Sequence, residues 1–258
     1  MNRWGWAPYV PLAERRLKAD NAASKMLKKG QKVLPVRLEG KKISTTFWGK
    51  AWCRHLESSS DRANRLLRGR TYVRNGSVIH LDIDPSRAFA LVQGTALYKV
   101  SVRIKGLNRE KWSEIRGHCS GEIGSVIELL QGRLSSDVIR TMIDRDRGLF
   151  PAPKEMTFTC SCPDRARMCK HVAAVLYGIG HRLDQRPELL FKLRNVDHME
   201  LMDGARLKQG AASGRSHIIK GRDLSEIFGI EIAEDRPAMA PSRSGKAAVK
   251  KKKRPKKR

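Results

Sequence analysis

No run of about 18 consecutive apolar residues occurs in the chain, so nothing in it reads as a membrane-spanning helix. A signal-peptide core is missing as well, because Trp4, Trp6, Pro8 and Pro11 interrupt the stretch after Met1. Cysteine is scarce and odd in number, five in 258 residues, and its spacing is not that of a disulfide framework. These absences lead to an expectation of a soluble protein of a reducing compartment: cytoplasmic, nucleoid-associated in a bacterium, nuclear in a eukaryote. There is no Gly-x-x-x-x-Gly-Lys phosphate loop and no serine-centred nucleophile elbow, which argues against an ATPase or hydrolase. Acidic residues are also few, 26 against 53 Lys and Arg.

What remains is a strongly basic chain with enough apolar residues, 40%, to bury a core. The net charge is +27, and Pro241–Arg258 holds ten basic residues and no acid, so most of the excess lies upstream of that tail. Such a potential attracts polyanions, and neutralising each phosphate releases counterions, so nucleic acid, with DNA favoured, is the expected partner. A solvated basic face that aids solubility is the plainer alternative. No membrane and no small-molecule substrate is expected. Residues 236–258 read as a disordered basic tail.

Three of the five cysteines fall within ten positions: Cys160, Cys162 and Cys169, followed by His171. Thiolate and imidazole are the donors Zn2+ prefers in a closed structural site. In an extended strand Cys160 and Cys162 point to one face, with Met156 and Phe158, while Thr157, Thr159 and Ser161 look the other way and Pro163 stops the strand. Two helical positions differ by about 200°, so Cys169 should precede a helix and His171 lie in its first turn. The positive end of that helix favours thiolate. Three thiolates, one neutral imidazole and Zn2+ sum to one negative charge, which Arg165, Arg167 and Lys170 would balance. An iron-sulfur or packing role is the alternative reading of the cluster.

The motif Cys160-x-Cys162, six residues, Cys169-x-His171 resembles the SWIM zinc finger of bacterial proteins, Mutator-type transposases and proteins associated with Swi/Snf-type ATPases; its six-residue gap is short for that pattern. The resemblance implies that Cys160, Cys162, Cys169 and His171 hold zinc in a strand-turn-helix unit. Residues 46–53 (TFWGKAWC), 64–81 (NRLLRGRTYVRNGSVIHL) and 160–184 also look like segments of bacterial SWIM-containing proteins. It further implies binding of DNA or of a protein partner such as a Swi/Snf-type helicase, and no catalytic reaction.

Elsewhere the pattern predicts an α+β fold, an antiparallel β-meander followed by helices, with the zinc-stabilised unit embedded. The division expected is an α+β domain at 1–150, the finger at 151–185, a helical segment at 186–235 and the tail. A hairpin of Arg70–Arg74 and Ser77–Ile83 is expected around Asn75-Gly76, then strands Phe89–Gln93 and Leu97–Ile104. Helices are expected at Arg109–His118, Ile123–Gln131 and Ser136–Asp144, the last capped by Ser135 or Ser136. His171–Ile179, ended by Gly178 and Gly180, and Pro187–Arg194 should be helical too. Arg62, Arg65, Arg68, Arg70 and Arg74, with Asp61 the only nearby acid, form a candidate phosphate-contacting surface, joined by Arg165, Arg167 and Lys170 of the finger and by the tail; a partly ion-paired solvated face is the alternative. Phe47, Trp48 and Trp52 read as core. Asp82 and Asp84, two apart on a strand, are the best nuclease-like pair, with Asp144 and Asp146 weaker. Cys53 with His55 and His118 with Cys119 lack further ligands nearby and read as packing.

Overall fold

A computed structural model describes residues 10–58 and 63–202. Three helices come first: α1 (Leu12–Lys28), α2 (Phe47–Ser58) and α3 (Ala63–Arg74). Strands β1 (Val78–Asp84), β2 (Arg87–Gln93) and β3 (Leu97–Ile104) follow, then α4 (Arg109–Cys119), α5 (Val126–Gln131) and α6 (Ser136–Ile143). A 3-10 turn at Pro153–Glu155 leads into β4 (Met156–Cys160), α7 (Lys170–Gln185), α8 (Glu188–Leu193) and a last 3-10 turn at His198–Leu201. The fold is α+β, with one antiparallel sheet ordered β1-β2-β3-β4.

Two expected elements differ. Arg70–Arg74 is not the first strand of a hairpin but the last part of α3; Asn75-Gly76 ends that helix, with Gly76 at φ +68°, a left-handed conformation that glycine adopts without steric cost. The signal was a helix stop mistaken for a strand turn. The meander keeps four strands because the zinc-motif strand β4 pairs with β3, Val100 opposite Cys160. Gly178 and Gly180 likewise do not end their helix, which runs on to Gln185. Three helices also precede the sheet, where only later ones were expected. The tail, and the helical segment beyond residue 202, lie outside the described residues.

The polar caps follow ordinary chemistry. Asn108, Ser125 and Ser135 accept hydrogen bonds from the N–H groups of Lys111, Glu128 and Val138 at the starts of α4, α5 and α6.

Sheet register sorts the core. Leu81, Ala90, Val100 and Cys160 lie abreast on one face, and α7 packs there. On the sheet's other side α1 places Ala19 against Ile79 and Leu91, with Met26 and Phe89 alongside.

Helix α7 is buried continuously from His171 to Gly180, as a helix apolar on every side must be. Its small residues admit neighbouring backbones. A Cβ on Gly69 of α3 would lie 2.5 Å from Ala173 Cβ, and one on Gly180 would lie 2.8 Å from Cys53 Sγ of α2. Trp48 and Trp52 of α2 are fully buried, as expected of core residues, and donate their indole N–H groups to Leu129 O (2.9 Å) and Leu176 O (2.8 Å).

The far end of α7 is tied to the start of α2. Asp184 accepts from the Thr45 N–H (2.5 Å) and hydroxyl (3.1 Å) and from the Thr46 N–H (3.2 Å) and hydroxyl (2.7 Å). One carboxylate thereby satisfies the unpaired donors at a helix start, the job of a cap, from 138 residues away. Arg194, 1% exposed, donates to Lys105 O at 2.6 Å and pairs with Glu155 at 3.2 Å, holding the chain just before β4.

Replacing Asp184 with Ala should cost about 1–3 kcal/mol, seen as a melting temperature lowered by several degrees in calorimetry. An unchanged melting temperature would show that α2 starts equally well without it.

Candidate metal centre

The four sulfur and nitrogen donors of Cys160, Cys162, Cys169 and His171 all lie within 4.8 Å of one another. Two structural elements deliver them. Cys160 ends β4, and the ladder carries on one step past it, Ser161 N–H bonding Lys99 O at 3.0 Å, so the strand stays extended into Cys162. Side chains alternate as expected: Met156 and Phe158 turn inward, and Thr157, Thr159 and Ser161 are exposed. Cys169 is the N-cap residue of α7, in extended conformation, and its carbonyl takes the first helical bond from Ala173 N–H at 3.0 Å. His171 therefore sits in the first turn, where spacing put it.

The geometry suits tetrahedral zinc. Bonds of about 2.3 Å to sulfur and 2.0 Å to nitrogen around a tetrahedral ion separate those donors by about 3.6 Å. His171 Nδ1 stands 3.9 Å from both Cys160 Sγ and Cys169 Sγ. Nδ1 is thus the ligating nitrogen. Nε2 is turned into the protein, buried without a hydrogen-bond partner among the described residues. Protonation is also uneven. The Cys169 thiol is pulled down to about 3, first by its bond from Cys160 and then by His171 and the Val172 N–H. Cys160 is pushed up, chiefly as the donor in that same bond. These residues fit zinc, which when bound would cross-link the strand to the helix through three sulfurs and one ring nitrogen.

Three neighbours of the histidine were not legible from the motif. The Tyr98 ring lies 4.4 Å from the imidazole, centroid to centroid, and Tyr72 meets it edge-on at 5.2 Å. A Cβ on Gly94 would come within 2.9 Å of Nε2. Tyr98 had a signal: continuing the β3–β4 register by two residues sets it opposite Cys162.

The basic residues expected here divide by role. Arg167 donates to the carbonyls of Pro153 (3.1 Å) and Met156 (3.4 Å), bracing the entry to β4. Lys170 lies 5.4 Å over the Tyr72 ring, and Arg165 is exposed. Arg65 pairs with Asp164 of the zinc loop at 2.6 Å. Arg70 pairs with Glu57 and donates to Tyr177 Oη at 3.1 Å. Asp164 is an acid that sequence proximity could not reveal; Glu57, four residues before Asp61, stood close enough to be counted. Arg68 and Arg74 are exposed on α3, and Arg62 lies outside the described residues. Of the nuclease-like pair, Asp84 contacts Lys192 at 3.4 Å and Asp82 accepts from the Ile83 N–H. Among the described residues the Cys/His cluster is the single group of three or more potential ligands. No helix among them is long and apolar enough to cross a membrane.

Residues 145–178 match the family model of the SWIM zinc finger. The chain is also similar to the uncharacterized protein Rv2102 of Mycobacterium tuberculosis, 31% identical over 180 residues, which is 68% of this chain and 65% of that protein. It thus spans just under two thirds of that relative's length. No solved structure matches.

Substituting Cys162 with Ser should release the metal and destabilise β4 and the start of α7, since metal affinity in such sites is folding free energy. Zinc content by mass spectrometry, paired with a chelator titration, checks this. A full equivalent retained tightly would contradict the ligand set.

Proposed function

From a chain that carries a SWIM zinc finger, we propose a non-catalytic protein that binds nucleic acid, DNA in preference, with weak sequence choice. The observation that carries the proposal is the cationic surface of α3 beside the metal centre. Arg68 and Arg74 are exposed there, and the cavity on the α2 side of α3 is lined by Lys42, Lys50, Arg54, Arg70 and Arg74 against one acid, Glu57. Burial and the neighbouring cations Lys42 and Arg54 hold the Lys50 ammonium below its ordinary range, though Asp184 opposes them, a crowding that an added polyanion would relieve. The net charge of +27 supplies long-range attraction of the same sign.

The finger's part is to position. Four protein donors around one zinc leave no open coordination position for water or substrate, so the metal contributes rigidity. It would fix the loop bearing Arg165 and, through the Arg65–Asp164 pair, the adjoining end of α3. Phosphate contacts of this kind carry little sequence information.

Binding to random duplex should fall by orders of magnitude between low and physiological salt, and exchanging Arg68 and Arg74 for Ala should lower the slope of log affinity on log salt by about two. Fluorescence anisotropy of zinc-loaded protein measures both. If nothing is retained on DNA even at low salt, the alternative partner, a protein such as a Swi/Snf-type helicase, becomes the reading.

A further inference from the structure

We infer that the uncovered part of the sheet's outer face is a second seat for a sugar-phosphate backbone, so that one chain holds two nucleic-acid segments at once. This second seat rests on the function proposed above and extends it. Ladder register assembles it. Arg87, Arg103 and Thr157 stand abreast on β2, β3 and β4. Two rows along, Lys99 lies beside Ser161, whose hydroxyl accepts the Lys99 N–H at 3.0 Å. With Thr159 between them, these side chains are all exposed, on the side of the sheet turned away from Val100 and Cys160. Helix α1 packs against β1 and β2 on that side, over Ile79 and Leu91.

Charge selects the occupant. Strands β2, β3 and β4 contain no Asp or Glu. The acids of this face stand on β1 and are engaged, Asp84 by Lys192 at 3.4 Å and Asp82 by the Ile83 N–H at 3.1 Å. Among the described residues Arg87, Lys99 and Arg103 form no ion pair. Arg87 and Arg103 even face each other directly across the ladder, a like-charge pairing that costs the sheet stability and that a phosphate between them would reverse. Lys99 and Arg103, four residues apart on one strand, are roughly 13 Å apart at about 3.3 Å per residue. A duplex strand covers that length in about four nucleotides, so the seat fits a polyanion better than a single ion. The one aromatic side chain here, Phe89, is taken up by the α1 contact and by the Arg87 guanidinium 5.8 Å from its centroid. No base has an open ring to stack on, and the contact is with the backbone.

Position makes this seat independent of the first. Helices α2 and α3, which carry Lys50 and Arg74, pack on α7, and α7 packs on the sheet's inner face. Arg87, Lys99 and Arg103 point away from that face. The sheet and a buried helix therefore stand between the two cationic surfaces, packed layers on the order of 20 Å deep in all. The Debye length at physiological salt is about 8 Å. Two phosphate chains held on the two sides repel each other little, and both seats can be filled together.

The test mixes the full zinc-loaded chain with an excess of short random duplex and reads, by analytical ultracentrifugation, how many duplexes each chain holds and how tightly. Two per chain are expected. Lys99→Gln combined with Arg103→Gln should weaken the second association about tenfold or more and leave the first within about twofold. Arg103→Glu gives Arg87 an opposite charge across the ladder, so it should abolish the second association while holding or raising the melting temperature, a result that a packing role for Arg103 does not produce. One duplex per chain in the unaltered protein overturns the second seat. A second duplex that survives Arg103→Glu also overturns it, since that duplex is then held elsewhere. Equal weakening of both associations overturns it as well, showing a single duplex in contact with both surfaces. If no duplex binds at any salt concentration, the function proposed above falls and takes the second seat with it.

Discussion

The fold turns on one junction: the end of a four-stranded sheet meets the beginning of a buried helix, and four donors from the two converge within 4.8 Å. Neither side closes the junction by apolar packing alone. His171 is 3% exposed, with Nε2 unpartnered among the described residues, and the hydrogen bond between Cys160 and Cys169 holds the Cys169 thiol down while it pushes Cys160 up. A divalent cation removes that conflict by converting proton sharing into coordination. The helix so pinned is the one on which α2, α3 and the sheet all pack, so the consequence reaches well past the finger.

Close approach does the rest of the work on that helix. Gly69 against Ala173 and Gly180 against Cys53 bring α3 and α2 nearer than side chains would allow, and Asp184 closes the far end on Thr45 and Thr46. The segments 46–53 and 64–81, which resembled bacterial SWIM-containing proteins by sequence, are the two that lie along α7 in this way.

Much of this was legible because it is local. Strand alternation fixed the sides of Met156 through Cys162, helical rotation placed Cys169 before the helix and His171 inside it, and a serine cap marked α6. What escaped depends on partners distant in sequence. Asn75-Gly76 ends a helix because residues 63–74 turn a face toward α7, which no local signal states. Gly178 and Gly180 read as stops, since the reason for a glycine inside a helix is the neighbour that crosses it. The arginine cluster looked unopposed because Asp164, which neutralises Arg65, comes from a distant element, and because Glu57, which neutralises Arg70, stands on the helix before the run; the exposed bases that remain, Arg68 and Arg74, are fewer and more sharply placed than the run suggested.

X-ray absorption at the zinc edge of the purified protein addresses the junction itself. The account predicts one zinc per chain with three sulfur scatterers at about 2.3 Å and one nitrogen at about 2.0 Å, the signature of Cys160, Cys162, Cys169 and His171 acting together. A well-folded protein without zinc, or a first shell of oxygen and nitrogen, would contradict it.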